Sequence, residues 1–116
     1  MPKRGDKEFL LDMMEAIRRV ELYTEGLSYQ DFLRKIETQD ALVRNLEIIG
    51  EASKNISKDL RIEYNHIPWK EIAGMRDKVI HFYFGVNWDI VWRAAKETLP
   101  QLKGKIEGIL NKVERK

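Results

Sequence analysis

Cysteine is absent from this chain of 116 residues, which excludes disulfides, thiolate nucleophiles and zinc–thiolate sites together. Histidine occurs twice, at His66 and His81, a spacing that matches no recognised metal-ligand pattern. Neither a G-x-x-x-x-G-K-S/T nor a G-x-G-x-x-G phosphate loop is present, so neither a metal nor a cofactor is expected. No apolar run approaches the about 20 residues of a membrane span. The N-terminal residues Lys3, Arg4, Asp6 and Lys7 lack the apolar core of a signal peptide, and a cytoplasmic protein without membrane contact is expected. Charge of one sign is scarce as well. Twenty-one basic and 19 acidic residues leave a net charge of +2, too small to argue nucleic-acid binding from bulk electrostatics. The basic pairs Lys3-Arg4, Arg18-Arg19 and Arg34-Lys35 are interleaved with acidic neighbours, the ordinary pattern of solvated helix faces.

What is present reads as helix throughout. Hydrophobic content of 43% with 34% charged residues describes a globular chain, and its length suits one domain over residues 1–116. Only three prolines occur, and no alternating run is long enough for a strand. From about Asp6 to Glu25, Phe9, Met13, Ile17 and Val20 recur at helical spacing, with Gly26 as the terminator. Ser28 and Asp31 form a capping box opening a short helix with Tyr29, Phe32, Leu33 and Ile36. Thr38 or Asp40 is expected to cap a second long helix, whose apolar stripe is Leu42, Leu46, Ile49 and Ile56. Arg44, Glu47, Glu51 and Lys54 form its polar stripe. Gly50, in the middle of this helix, permits the close approach of another. Pro68 suits the first turn of a third long helix running past Tyr83 towards Gly85, and Asn87 caps the next. Trp88, Trp92, Ala95, Leu99, Leu102, Ile106, Ile109 and Val113 follow steps of three and four, a heptad-like seam. Their phase continues through Pro100, which predicts one kinked helix or two nearly coaxial ones. The expected fold is all-α: an antiparallel bundle of four long helices, the last kinked or split at Pro100, plus a short connector helix.

The chemistry concentrates in Met75 to Trp92, MRDKVIHFYFGVNWDIVW. Arginine binds phosphate bidentately and stays charged, while histidine takes and gives a proton near neutral pH. Arg76 with His81 therefore suits phosphodiester cleavage. On one regular helix Arg76 and Tyr83 share a stripe, but His81 lies about 140° from Arg76. Either the helix is distorted or begins within the motif, or two copies of the chain assemble the site. His66, before Pro68, reads as an ordinary polar residue. Phe82, Phe84, Trp88 and Trp92 suit the core or a dimer interface better than base stacking.

Pro68-Trp69, Gly74-Met75-Arg76-Asp77, His81-x-Tyr83, Gly85-Val86-Asn87 and Val91-Trp92 occur in one order. This order resembles the HepT branch of the HEPN superfamily. Arg44, Gly50-Glu51-Ala52 and Leu99-Pro100-x-Leu102 extend the likeness over nearly the whole chain. The resemblance implies a small helical toxin: a dimeric, metal-independent endoribonuclease of a type VII toxin–antitoxin system, with R-x-x-x-x-H-x-Y motifs from two protomers sharing one cleft. It further implies a partner, a minimal nucleotidyltransferase antitoxin of the MntA kind. Under it, His81 serves as general base and, from the second protomer, general acid, while Arg76 neutralises charge on the phosphorane. Asp77 fills the polar position after the arginine, where it orients Arg76 or His81 or forms a helix salt bridge. Tyr83 is the implied acceptor of AMP, which silences the toxin. Two other readings remain open: an inert HEPN module that binds, or is modified by, the nucleotidyltransferase, and a plain helical dimerisation protein.

Overall fold

Short polar contacts set the limits of the helices in the computed structural model, which describes residues 4–81 and 87–114, and of Arg76, Val79, Ile80, His81 and Glu114 the backbone only. Helix α1 spans Asp6–Thr24. Glu8 accepts the amide of Gly5 ahead of it at 3.0 Å, and Gly26 ends it in the left-handed region at φ 74°, where a side chain is disfavoured. The Ser28–Asp31 capping box opens α2 (Tyr29–Arg34) with reciprocal 3.1 Å bonds.

The next boundary departs from expectation. Helix α3 spans Ile36–Lys54, so Thr38 and Asp40 lie inside it and cap nothing. Its N-cap is Lys35, without a side-chain cap bond. Gln39 explains this, because its side-chain amide donates to the carbonyls of Phe32 and Leu33 at 3.0 and 3.1 Å. The last turn of α2 is thus satisfied by a side chain of α3, and one extended residue suffices between them. The same joint leaves Leu33 and Ile36 exposed, at 43% and 68%.

A further helix, α4 (Lys58–Glu63), is capped by Ser57, whose hydroxyl accepts the Leu60 amide at 3.2 Å. It follows α3 directly, and the sequence did not suggest it because Leu60 is its one buried residue. Ile56 is buried as expected, but in the turn beyond α3. Helix α5 spans Trp69–His81, with Pro68 just ahead of it; the rest of its expected course, towards Gly85, lies outside the described residues. Asn87 caps α6 (Trp88–Arg93), accepting the amides of Asp89 and Ile90 at 3.1 and 3.3 Å.

The interruption expected at Pro100 takes the form of a π-helical turn, Ala94–Thr98, ending just ahead of α7 (Leu99–Glu114). The Leu99 amide bonds to the Ala94 carbonyl, five residues back. A proline ring clashes with the carbonyl four residues before it in a regular helix, and the wider turn gives it room.

Side-chain links fix the helix directions. Asp6, at the start of α1, accepts the Ser57 amide and hydroxyl at 2.7 and 2.6 Å, just past the end of α3. The Ser53 hydroxyl, near the end of α3, donates to the Trp69 carbonyl at the start of α5 at 3.3 Å. Lys103 of α7 bonds Glu21, near the end of α1, at 3.2 Å. Neighbouring long helices therefore run antiparallel: α3 packs along both α1 and α5, and α7 closes on α1. The core holds Leu10, Met13, Ile17 and Val20 of α1, Leu42, Leu46 and Ile49 of α3, and Ile72 of α5. Leu10 takes the place expected of Phe9, which is half-buried with the Arg4 guanidinium 5.3 Å from its ring centre. The C-terminal seam behaves as expected, since Ala95, Leu99, Leu102, Ile106 and Ile109 are buried. Trp88 and Trp92 are half-buried around Phe32. The fold is the expected all-α bundle. Among the described residues no helix is long and apolar enough to cross a membrane.

Candidate functional site

Helix α5 carries the arginine–histidine motif, and its first half is held firmly. Trp69 and Ile72 are buried against the core, and the Trp69 indole donates to the Tyr64 carbonyl at 3.1 Å. The Ile72 amide bonds to the Pro68 carbonyl at 3.0 Å, closing the first turn. Ala73, Gly74 and Met75 are half-buried, whereas Asp77 and Lys78 are exposed. The buried half thus anchors a helix that exposes Asp77 and Lys78 further along.

The helix begins at Trp69, well before Arg76, and continues without a 3₁₀ or π interruption to His81. Two of the geometries open to the motif are thereby removed: the helix neither starts inside it nor changes type between its two residues. The Cα positions of Arg76 and His81 consequently lie about 140° apart around the axis and about 7.5 Å apart along it. Tyr83, with Phe82, Phe84, Gly85 and Val86, lies outside the described residues.

Of the polar stripe of α3, Lys54 lines a different groove, while Arg44, Glu47 and Glu51 line, with Asp12, a cleft of about 390 Å³ between α1 and α3. Next to it Asn45 is 4% exposed. Its amide donates to the Ala41 carbonyl at 2.8 Å, while its Oδ1 has no partner among the described residues. His66 is exposed in the loop ahead of Pro68, its ring 6.3 Å from that of Tyr64. Among the described residues no three His, Asp or Glu side chains gather as metal ligands do.

A family model described as "Ribonuclease HepT-like" matches residues 13–109. The chain belongs to the HepT-like family. A probable ribonuclease HepT of Thermococcus cleftensis is 50% identical to this HepT-like chain over 105 residues, covering 90% of it and 96% of the relative. Two putative RNases of Methanocaldococcus jannaschii are 47% and 45% identical over all 116 residues, spanning 96% and 100% of their own lengths. No solved structure matches the chain. In this HepT-like bundle Arg4 pairs with Asp12, Arg34 and Lys35 are exposed, and Arg18 and Arg19 both bond Glu15, at 2.6 and 3.2 Å. Those two arginines hold the Glu15 carboxyl down at about 2, Arg18 most strongly. A different group of cations, separated along the chain and announced by no local pattern, is gathered by the fold at the other end of α5.

Proposed function

We propose that the chain is a metal-independent endoribonuclease toxin acting as a homodimer, with its 116 residues forming one domain in the cytoplasm. The observation that carries this reading is the unbroken course of α5 from Trp69 to His81, beneath the arginine and the histidine of the motif. With Arg76 and His81 about 140° apart on a regular helix, one chain does not aim both at one phosphate. Two chains related by a two-fold axis supply an arginine and a histidine from opposite walls of one cleft.

The same arrangement balances the protons. His81 of one protomer takes the proton from the ribose 2′-hydroxyl, and the 2′-oxygen attacks phosphorus. The bond from phosphorus to the 5′-oxygen breaks, and that oxygen receives a proton from His81 of the other protomer. Arg76 stabilises the negative charge that builds on the non-bridging oxygens. Asp77 orients one of these side chains. The products are a 2′,3′-cyclic phosphate and a 5′-hydroxyl end.

Control follows from the phosphate site itself. A minimal nucleotidyltransferase antitoxin transfers AMP from ATP to the Tyr83 hydroxyl, releasing pyrophosphate, and the new anionic group occupies the cleft beside Arg76. The pair constitutes a type VII toxin–antitoxin system.

Expression of the chain alone, scored for growth arrest and RNA cleavage, tests the activity. His81→Ala and Arg76→Ala should each abolish both while circular dichroism stays unchanged. Full cleavage by a folded His81→Ala dimer removes the mechanism. Cleavage should also survive EDTA; loss with EDTA and rescue by magnesium would point to a metal-dependent nuclease.

A further inference from the structure

A groove of about 830 Å³ lies where the end of α3, helix α4 and the start of α5 meet. Lys54, Lys58, Arg61 and Lys70 line it, and Glu71 is its one acidic residue. These four cations against one carboxylate make the groove more positive than the whole chain, whose net charge is +2. Five cations elsewhere sit in ion pairs: Arg4 with Asp12, Arg18 and Arg19 with Glu15, Arg93 with Asp89 and Lys103 with Glu21. Among the described residues none of the four groove cations forms an ion pair.

The segregation is built into α4. Lys58, Arg61 and Ile62, at helical spacing i, i+3 and i+4, line the groove, whereas Asp59 and Glu63 of the same helix do not. Leu60 fixes the rotation by its burial. The groove is also lined by the apolar residues Ile62, which is 60% exposed, Pro68 and the largely buried Trp69.

We propose that this groove is an RNA-binding site separate from the Arg76–His81 motif, gripping the phosphodiester backbone of a single strand through Lys54, Lys58, Arg61 and Lys70. The proposal rests on the reading of the chain as a ribonuclease. Unpaired cations spread along a groove that apolar residues also line are the arrangement that tracks a single-stranded backbone and accepts a base face. An acidic helical protein would need a continuous apolar stripe to sit on. Of the groove residues only Ile62 is a strongly exposed large apolar side chain. Position supports the same occupant. Lys70 and His81 lie on one helix, about 16 Å apart along its axis at 1.5 Å per residue, so a strand a few nucleotides long reaches from groove to motif. The groove raises affinity for long RNA and takes no part in bond cleavage.

The test uses the full chain. A labelled single-stranded RNA of about 20 nucleotides, longer than a site of this kind, is titrated against His81→Ala, which leaves the RNA uncut. The titration is repeated with Lys54→Gln, Lys58→Gln, Arg61→Gln and Lys70→Gln added. At least a tenfold loss of affinity is expected, with the slope of log K against log salt shallower by up to about 3, since each single-strand phosphate contact contributes about 0.7. Replacing the three lysines by arginine instead should preserve affinity. In the cleavage assay the four glutamines, placed in a chain that keeps His81, should raise KM for long RNA at least tenfold, with kcat unchanged and a dinucleotide substrate cut as before. Unchanged affinity and salt slope overturn the proposal and leave the groove to an acidic protein segment. Loss of dinucleotide cleavage overturns the separation from the motif. If the wild-type chain cuts no RNA, the ribonuclease reading falls, while the titration still decides the groove.

Discussion

Phe32, on a helix of six residues, organises the docking of the C-terminal segment. It is fully buried, its ring stacked 5.0 Å from Trp92 and edge-on 5.8 Å from Trp88. Phe32→Ala should cost about 3–5 kcal/mol, read as a lower urea midpoint, with tryptophan fluorescence shifting as both indoles lose their neighbour. Asn87→Ala removes the acceptor of two α6 amides and should cost about 1 kcal/mol by the same measurement. Glu15 supplies a pH test. Its folded pKa of about 2 lies below the ordinary 4.5, so its contribution is fully present above the unfolded value and disappears as pH falls through the folded one. The stability difference between wild type and Glu15→Gln should therefore be small but steady near neutrality and vanish towards pH 2. Residues of this kind were legible in the sequence where the chemistry is local: the Ser28–Asp31 box, the Asn87 cap and the Gly26 stop all involve neighbours within three positions. Thr38 and Asp40 misled because Gln39 reaches back to another helix, a contact no local pattern encodes.

Helices were legible in proportion to their apolar faces. The seam from Ala95 to Ile109 runs uninterrupted into the core, so its periodicity alone placed it. Helix α4, with Leu60 as its single buried residue, had no periodicity to show. Its N-terminal end is tied down by the Asp6 carboxylate, which accepts both the amide and the hydroxyl of Ser57. One carboxylate thus serves the first turns of two helices, each of which favours negative charge there. Asp6→Ala should cost about 1 kcal/mol, and hydrogen exchange should quicken first at the amides of residues 58–63. Equal protection there in the variant would mean that Leu60 alone fixes the helix.

The whole molecule raises the question of copy number. An unbroken α5 leaves each chain with one motif histidine, its Cα about 140° around the axis from that of Arg76, so activity should depend on association. Sedimentation at micromolar concentration should give a homodimer. Mixed dimers of wild type and His81→Ala should fall far below half of wild-type activity, because each keeps one proton-transfer group and loses the other. A monomer that cuts RNA would contradict the shared site. Modification is read on the same assembly: after coexpression with the nucleotidyltransferase, an AMP-sized mass increment should appear on Tyr83 and be absent from Tyr83→Phe. An increment on Tyr23, Tyr29 or Tyr64 would displace the assignment. This motif was legible from residue types and order, whereas the groove at the far end of α5 was not, because Lys54, Lys58, Arg61 and Lys70 become neighbours only when three helices meet.

The π turn at Ala94–Thr98 carries a consequence for insertions and deletions. A bond closing over five residues holds one more residue than the four-residue bond of an α-helix. Removing a residue from a helix ordinarily rotates everything downstream by about 100° and turns its buried face outward. Here the surplus residue is already looped into the wide turn, so deleting Lys96 should leave Leu99, Leu102 and Ile106 facing the core. The deletion alone would place Pro100 inside a regular helix at a cost of about 3 kcal/mol; combined with Pro100→Ala, it should yield a straight helix from Trp88 onward with a melting temperature near that of wild type. Relatives one residue shorter between Trp92 and Leu99 should accordingly lack the proline.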